Sequence, residues 1–194
     1  MVSLLENTER DGTVADETGT VPAKDGKATD EGTQAESPFP EATKLVEDIQ
    51  TLLGLEAAVR NDGWVDLHVE PQKVQEVAFR LRDELKINYL SSLAAVDWKD
   101  EGFEVVYHIL ELGTPRRIVM RARVPRDDAS LPTVVPVWPT ANWHEREAWD
   151  LMGVHFEGHP DLRRILMRED WVGHPLRKDY VDERPQRVRQ VKPW

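Results

Sequence analysis

The chain of 194 residues contains no cysteine. That excludes disulfides, thiolate nucleophiles and thiolate-bound iron–sulfur clusters within it. No uninterrupted apolar run approaches the roughly 18 residues that a membrane-spanning helix needs. Neither G-x-G-x-x-G nor G-x-x-x-x-G-K-[ST] occurs, so the sequence shows no Gly-rich cradle for nucleotide phosphates. G-x-S-x-G, the turn that presents a nucleophilic serine, is missing too. The start, Met1-Val2-Ser3-Leu4-Leu5-Glu6, lacks a basic segment followed by a long apolar stretch and does not read as a signal peptide. Membrane association is expected only through partners.

Acidic side chains outnumber basic ones, 36 to 25. The formal net charge is −11, which argues against nucleic acid as a partner. The imbalance is concentrated: residues 1–40 hold nine acids against three bases and carry −6 of the total. Residues 6–37 are nearly free of large apolar side chains and cannot offset the entropy of ordering. The expected organisation is a disordered acidic tail over 1–37, a folded domain over 38–183, and a basic Pro/Arg extension over 184–194. That extension holds four bases and no acidic side chain. It suits an acidic protein groove better than phosphate in so acidic a chain.

Within the domain, Ala42, Leu45, Val46, Ile49, Leu52 and Leu53 recur at helical steps, and Gly54 stops them. Asn61-Asp62-Gly63 is a turn, and Val65 to Val69 alternates as a half-buried strand does. Pro71 fits the first turn of a second helix with the stripe Val74, Val77, Ala78, Leu81 and Leu85. Tyr89 to Val96 reads as a short strand with a turn. Phe103, Val105, Tyr107 and Ile109 share one face of a strand. So do Ile118, Met120, Ala122 and Val124, with Arg121 and Arg123 opposite. The Gly113-Thr114-Pro115-Arg116 loop between them predicts an antiparallel hairpin. Pro125 and Pro132 punctuate a loop, and Val134 to Val137 reads as a short extended piece. Thr140 is placed to cap a helix over Ala141–Met152, ended by Gly153. Beyond it, glycine and proline spacing implies loops with at most one short helix. The expected fold class is α+β: a two-layer domain with helices packed on a mixed or antiparallel sheet, long C-terminal loops and the disordered N-terminal tail.

Polar chemistry crowds into residues 141–180. His144-Glu145 suggests a zinc helix, but that motif needs a second histidine one turn on, and position 148 is alanine. His155, His159 and Glu157 are an alternative ligand set for a metal-dependent hydrolase. Against it, His159-Pro160 and His174-Pro175 read as turn residues whose ring nitrogens bond backbone carbonyls. Glu145, Glu147 and Asp150 form a carboxylate cluster in which Glu147 and Asp150 share a helix side. Pairing with Arg146, Arg163 and Arg164 is the simple account; a carboxylate facing a partner is the alternative. The ion-pair reading expects Arg146→Ala to strand a buried carboxylate, at several kcal/mol. Four of the seven tryptophans, Trp138, Trp143, Trp149 and Trp171, fall in this region. They suit an interface, a minor core under the loops, or both.

The run Glu145-Arg146-Glu147, then Asp150-Leu151-Met152-Gly153-Val154, Phe156, Gly158-His159-Pro160 and Leu162-Arg163-Arg164-Ile165-Leu166, closely resembles the signature of the 30-kDa subunit family of respiratory complex I. Gly173-His174-Pro175-Leu176-Arg177-Lys178-Asp179-Tyr180 is similar to that family as well. So is Leu131-Pro132-Thr133-Val134 leading into Trp138-Pro139-Thr140-Ala141-Asn142-Trp143. The likeness is dense over about 130–180 and looser over 40–130. It implies a peripheral-arm subunit of a proton-pumping NADH dehydrogenase, or of a related membrane-bound hydrogenase-type complex. No catalytic, cofactor or metal residue is expected in this chain. NADH, FMN, iron–sulfur clusters and quinone would belong to the assembled complex. The implied partners are the terminal-cluster subunit and the 49-kDa-type subunit, at the cytoplasmic face of the bacterial membrane. Glu145, Arg146, Glu147, Asp150, Gly153, His159, Pro160, Arg163, Arg164, His174, Pro175, Arg177, Lys178, Asp179 and Tyr180 would serve structure or inter-subunit contact.

Overall fold

A computed structural model describes residues 38–182. The acidic tail and the basic extension read from the sequence lie outside the described residues. The first helix, α1 (Pro40–Leu53), places Pro40 at its start and Gly54 at its left-handed C-cap. It buries Ala42, Leu45 and Ile49, while Leu52, expected on the apolar stripe, is exposed. Strands β1 (Ala57–Val59) and β2 (Val65–His68) flank the Asn61–Gly63 turn. β1 escaped the sequence reading because three residues are too few to show alternation. Pro71 opens a 3₁₀ turn that runs into α2 (Val74–Asp83), which buries Val74, Val77, Ala78 and Leu81 as expected, while Leu85, also buried, lies beyond its end.

The segment from Tyr89 is a single strand, β3 (Tyr89–Asp97), rather than a short strand with a turn. A register shift between Leu90 and Ser92 absorbs the irregular pattern that suggested the turn. β4 (Phe103–Leu110) and β5 (Arg117–Val124) form the predicted hairpin. The sheet runs β1-β2-β5-β4-β3, with the β2–β5 pair parallel and the others antiparallel. One face of the sheet and the α-helices of the described residues share a single core that includes Leu45, Leu67, Leu81, Phe103, Tyr107, Met120 and Met152. The other face carries charge. Arg121 donates to Asp66 at 2.7 Å and to Glu104 at 3.3 Å, and Arg123 donates to Glu104 at 3.1 Å. The arginines expected opposite the core face are these.

Three local expectations fail. Pro132 is not a loop residue but ends a short strand, β6 (Ser130–Pro132), which pairs in parallel with β7 (His155–Glu157). Thus the chain beyond Gly153 begins with a strand, not only loops. Val134 to Val137 is a turn, closed by N–H donation from Val137 and Trp138 to the Val134 carbonyl, each at 2.9 Å. Val134 and Val137 are buried because the turn itself enters the core. Thr140 makes no capping bond. It is already helical (φ −61°, ψ −26°), and the turn carbonyls of Trp138 and Pro139 take the first N–H groups of α3 (Ala141–Met152).

Gly102 sits where the turn after β3 touches the end of β5. Its φ is +92°, and a Cβ there would overlap the Val124 carbonyl oxygen. Gly102→Ala is expected to lower unfolding free energy by about 2–3 kcal/mol, from backbone strain and displaced strand pairing. Chemical denaturation of the full chain measures this, and a change below about 0.5 kcal/mol would contradict it.

Candidate functional site

α3 organises the region that the sequence marked out. Glu145, Arg146, Ala148 and Asp150 are buried, while Glu147 is exposed. The expected sharing of one side by Glu147 and Asp150 therefore gives way to opposite environments, because the helix is wedged between β3 and the loops that follow it.

Asp150 is the centre of a clamp. Its Oδ2 accepts N–H bonds from Ile165 (3.1 Å), Leu166 (2.8 Å) and Met167 (2.9 Å), and its Oδ1 accepts the Arg164 guanidinium at 2.6 Å. Successive N–H groups converging on one oxygen form a concave anion nest. Here the anion is a side chain of the same protein. Burial pushes the Asp150 carboxyl up, but the donors from Met167, Leu166, Arg164 and Ile165 outweigh it, and its pKa lies below the ordinary aspartate value. Arg164 reaches onward to the carbonyls of Trp171 (3.0 Å) and Gly173 (3.2 Å) and lies 5.7 Å from the Trp149 ring centre.

The C-terminal carbonyls of α3 hold the second signature segment. The Asp150 carbonyl accepts from His174 Nδ1 (3.0 Å), that of Leu151 from the Leu176 N–H (3.0 Å), and that of Met152 from Arg177 Nε (2.6 Å). These are groups that a helix end leaves without intrahelical partners, and a cation there also meets the negative end of the helix dipole. Gly153 makes the closure possible. Its φ is +74°, and a Cβ would come within 2.7 Å of both the Arg177 guanidinium and the His174 ring.

A third anchor was not seen in the sequence. Asp97, buried at the end of β3, accepts the Lys99 N–H at 2.7 Å and the Lys178 N–H at 2.8 Å, and it pairs with Arg126. Arg126 also reaches Asp179 at 3.0 Å, and both Arg126 and Arg177 lie over the Phe103 ring, 4.9 and 5.0 Å from its centre. The one available signal was Asp97 two residues before Lys99, a spacing at which an aspartate bonds the backbone ahead of it. Nothing local pointed to Lys178.

Other expected residues fall out as follows. Arg146 pairs with no carboxylate among the described residues. Its Nε donates to the Arg163 carbonyl at 3.2 Å, and its guanidinium lies 5.1 Å from the centre of the exposed Trp143 ring. The Arg146 ion pair expected from sequence is thus replaced by Arg164 with Asp150. Arg163 itself pairs with Asp161 at the surface. Trp138 joins the main core and Trp149 packs partly against it, so two of the four clustered tryptophans serve packing. His159 and His174 are the turn histidines anticipated. His159 Nε2 bonds the Asn142 carbonyl (3.3 Å) while its Nδ1 accepts the Asp161 N–H (3.0 Å). With both nitrogens engaged and His155 on a separate strand, the proposed ligand set does not converge. Among the described residues no group of three or more histidines and carboxylates is arranged to hold a metal ion. Pro160 and Tyr180 stand at turns, with Tyr180 packed over Gly173 and Pro175 half-buried between its neighbours.

The comparisons agree with this architecture. Residues 67–186 match the family described as respiratory-chain NADH dehydrogenase, 30 Kd subunit. An NADH-quinone oxidoreductase subunit from Geotalea uraniireducens is 46% identical over 127 residues, covering 64% of this chain and 77% of that protein. The trypsin-resistant fragment (1–134) of Nqo5 superposes with a TM-score of 0.55 at 29% identity, over 62% of this chain and 99% of the fragment. A chain of the membrane-bound sulfane sulfur reductase, an archaeal respiratory membrane complex, gives a TM-score of 0.58 at 28% identity, over 73% of this chain and 86% of that one. This chain therefore belongs to the 30-kDa subunit family of respiratory-chain NADH dehydrogenase.

Two substitutions separate the clamp from its surroundings. Asp150→Asn is expected to destabilise the chain by about 3–5 kcal/mol, since it strands the Arg164 charge and turns an amide N–H toward donors. The wild-type stabilisation is present above the unfolded aspartate value of about 3.8 and is lost as pH falls through the depressed folded value, so the gap between the two proteins narrows in acid. Arg146→Ala, with no carboxylate to strand, is expected to cost only about 1–2 kcal/mol. Denaturant titrations at neutral and acid pH check both, and equal losses for the two variants would contradict the assignment.

Proposed function

We propose that this chain is a cofactor-free, non-catalytic subunit in the peripheral arm of a proton-translocating NADH:quinone oxidoreductase, and that its task is to fix neighbouring subunits in place. The observation that carries the reading is the clamped segment. Residues 162–182 have no regular secondary structure, yet Asp150, Asp97 and the end of α3 hold them at many points. The segment exposes Leu166, Val172, Leu176 and Val181. Apolar side chains exposed on a segment held at so many points favour a protein partner, since little ordering entropy remains to be lost on binding.

The partners proposed are the subunit that bears the terminal iron–sulfur cluster and the 49-kDa-type subunit beside the quinone pocket. NADH, FMN, iron–sulfur clusters and quinone are assigned to those and other chains. A sequence without cysteine offers no thiolate for a cluster, which supports that assignment. No helix of the described residues is long and apolar enough to cross a membrane, in keeping with a peripheral position, for which we propose the cytoplasmic face. The likeness to the sulfane sulfur reductase chain favours one further reading, the equivalent subunit of a related membrane-bound complex.

Affinity capture of the tagged full chain from detergent-solubilised membranes is the test. Co-purification of NADH-oxidising and quinone-site subunits supports the first reading, and hydrogenase-type or sulfur-reducing partners support the second. Recovery of the chain alone overturns both. Leu166→Asp combined with Leu176→Asp, both exposed, is expected to leave the melting temperature within about 2 °C of wild type while reducing partner recovery at least tenfold.

A further inference from the structure

Five residues before Asp150 on α3 lies a second buried carboxyl with the opposite electrostatic circumstances. Glu145 is fully buried. Its Oε1 accepts the Val134 N–H at 2.7 Å and its Oε2 accepts the Thr133 hydroxyl at 2.5 Å. Both donors are neutral. No lysine or arginine pairs with it among the described residues. The group nearest to a counter-ion is His159, whose buried ring places Nε2 3.9 Å from Oε2. Burial pushes the pKa of that ring down, against the bond to the Asn142 carbonyl, and its two nitrogens are already committed to Asn142 and Asp161. From the sheet, β4 contributes Tyr107, whose buried hydroxyl has no hydrogen-bond partner among the described residues and which lies close enough for the Glu145 charge to push its pKa further up. Arg146, the next residue on the helix, turns its guanidinium away to Trp143 and Arg163.

We infer that Glu145 is a proton-binding site in the core of this domain, and that its protonation state sets the hydrogen bonding of residues 133 and 134. A charged carboxylate accepts both donors. A neutral carboxyl has one O–H of its own to place, so the Thr133 hydroxyl must turn from donor to acceptor or Val134 must lose its partner. Thr133 stands at a junction: its N–H bonds the Glu157 carbonyl at 2.9 Å, its carbonyl accepts Gln75 Nε2 at 2.6 Å, and its hydroxyl accepts the Val135 N–H at 3.2 Å. The proton therefore acts where α2, the β6–β7 pair and α3 meet. Burial, opposed only by the two hydrogen bonds, moves the Glu145 pKa from 4.5 to about 7. The folded chain then holds a proton that the unfolded chain releases, so stability falls as pH rises between those two values. This inference does not depend on which subunits surround the chain.

Infrared titration of the full chain together with its pH-dependent melting is the test. At pH 6, about ten protonated Glu145 carboxyls are expected for each ionised one, visible as a carbonyl band of un-ionised carboxyl where ordinary surface acids are ionised. The band should fade as pH rises past 7 and be absent from Glu145→Gln. The melting temperature of the wild type should drop through the same window, and that of the Gln variant should not. If Glu145→Gln does not fold, Thr133→Val replaces it, and the band should persist with its midpoint displaced upward, because the hydroxyl donor that holds it down is lost. No such band at pH 6 in the wild type, or a band unchanged in position and midpoint by either substitution, would overturn the inference.

Discussion

The carboxylate of Asp150 is the constraint on which the signature region depends. Three backbone N–H groups and one guanidinium converge on it from a stretch that has neither helix nor strand to satisfy its own polar groups. An irregular segment in water normally leaves such groups to the solvent and remains mobile. Here an internal anion replaces the solvent, and a loop gains a defined shape without a sheet or a helix. The arginine is not merely neutralising. By reaching the carbonyls of Trp171 and Gly173, Arg164 extends the influence of one aspartate across nine further residues.

Three buried acids on the core side of this domain show how environment decides the role of one chemical group. Asp150 has a guanidinium and three N–H donors. Asp97 has Arg126 and two N–H donors, and its pKa is likewise held down against burial. Glu145 has a hydroxyl and one N–H, and burial prevails. The first two are permanent charges that hold backbone in place. The third responds to its surroundings. On the outer face of the sheet, Glu104 is a fourth case, buried beneath Arg121 and Arg123 so that the strand pairing of β4 and β5 is reinforced by charge.

Much of this fold was legible because its core follows simple periods. The hairpin of β4 and β5, both flanking helices and α3 with its terminal Gly153 follow from spacing alone. Where reading failed, the cause was non-local. Val134 to Val137 reads as a short extended piece but is a turn, and the Glu145 carboxyl that holds its first N–H comes from another element. β6 and β7 are visible only as a pair, because three residues carry no period. The charged cluster on α3 stood out in the sequence and arginine pairing was expected, but spacing did not choose among Arg146, Arg163 and Arg164. Arg164, fourteen residues on, is the true partner, since helix geometry points Asp150 at the returning loop rather than along its own axis. Asp97 lies eighty-one residues from Lys178, a separation no local pattern can bridge.

The last carbonyls of α3 are closed by His174, Leu176 and Arg177, more than twenty residues downstream. During synthesis the helix is therefore polymerised before the residues that close its end. Until residue 177 has been added, the nascent domain has an unfinished helix end and an unbraced loop together. Closing the helix end and bracing the loop are the same event, so a prematurely terminated chain leaves both unfinished.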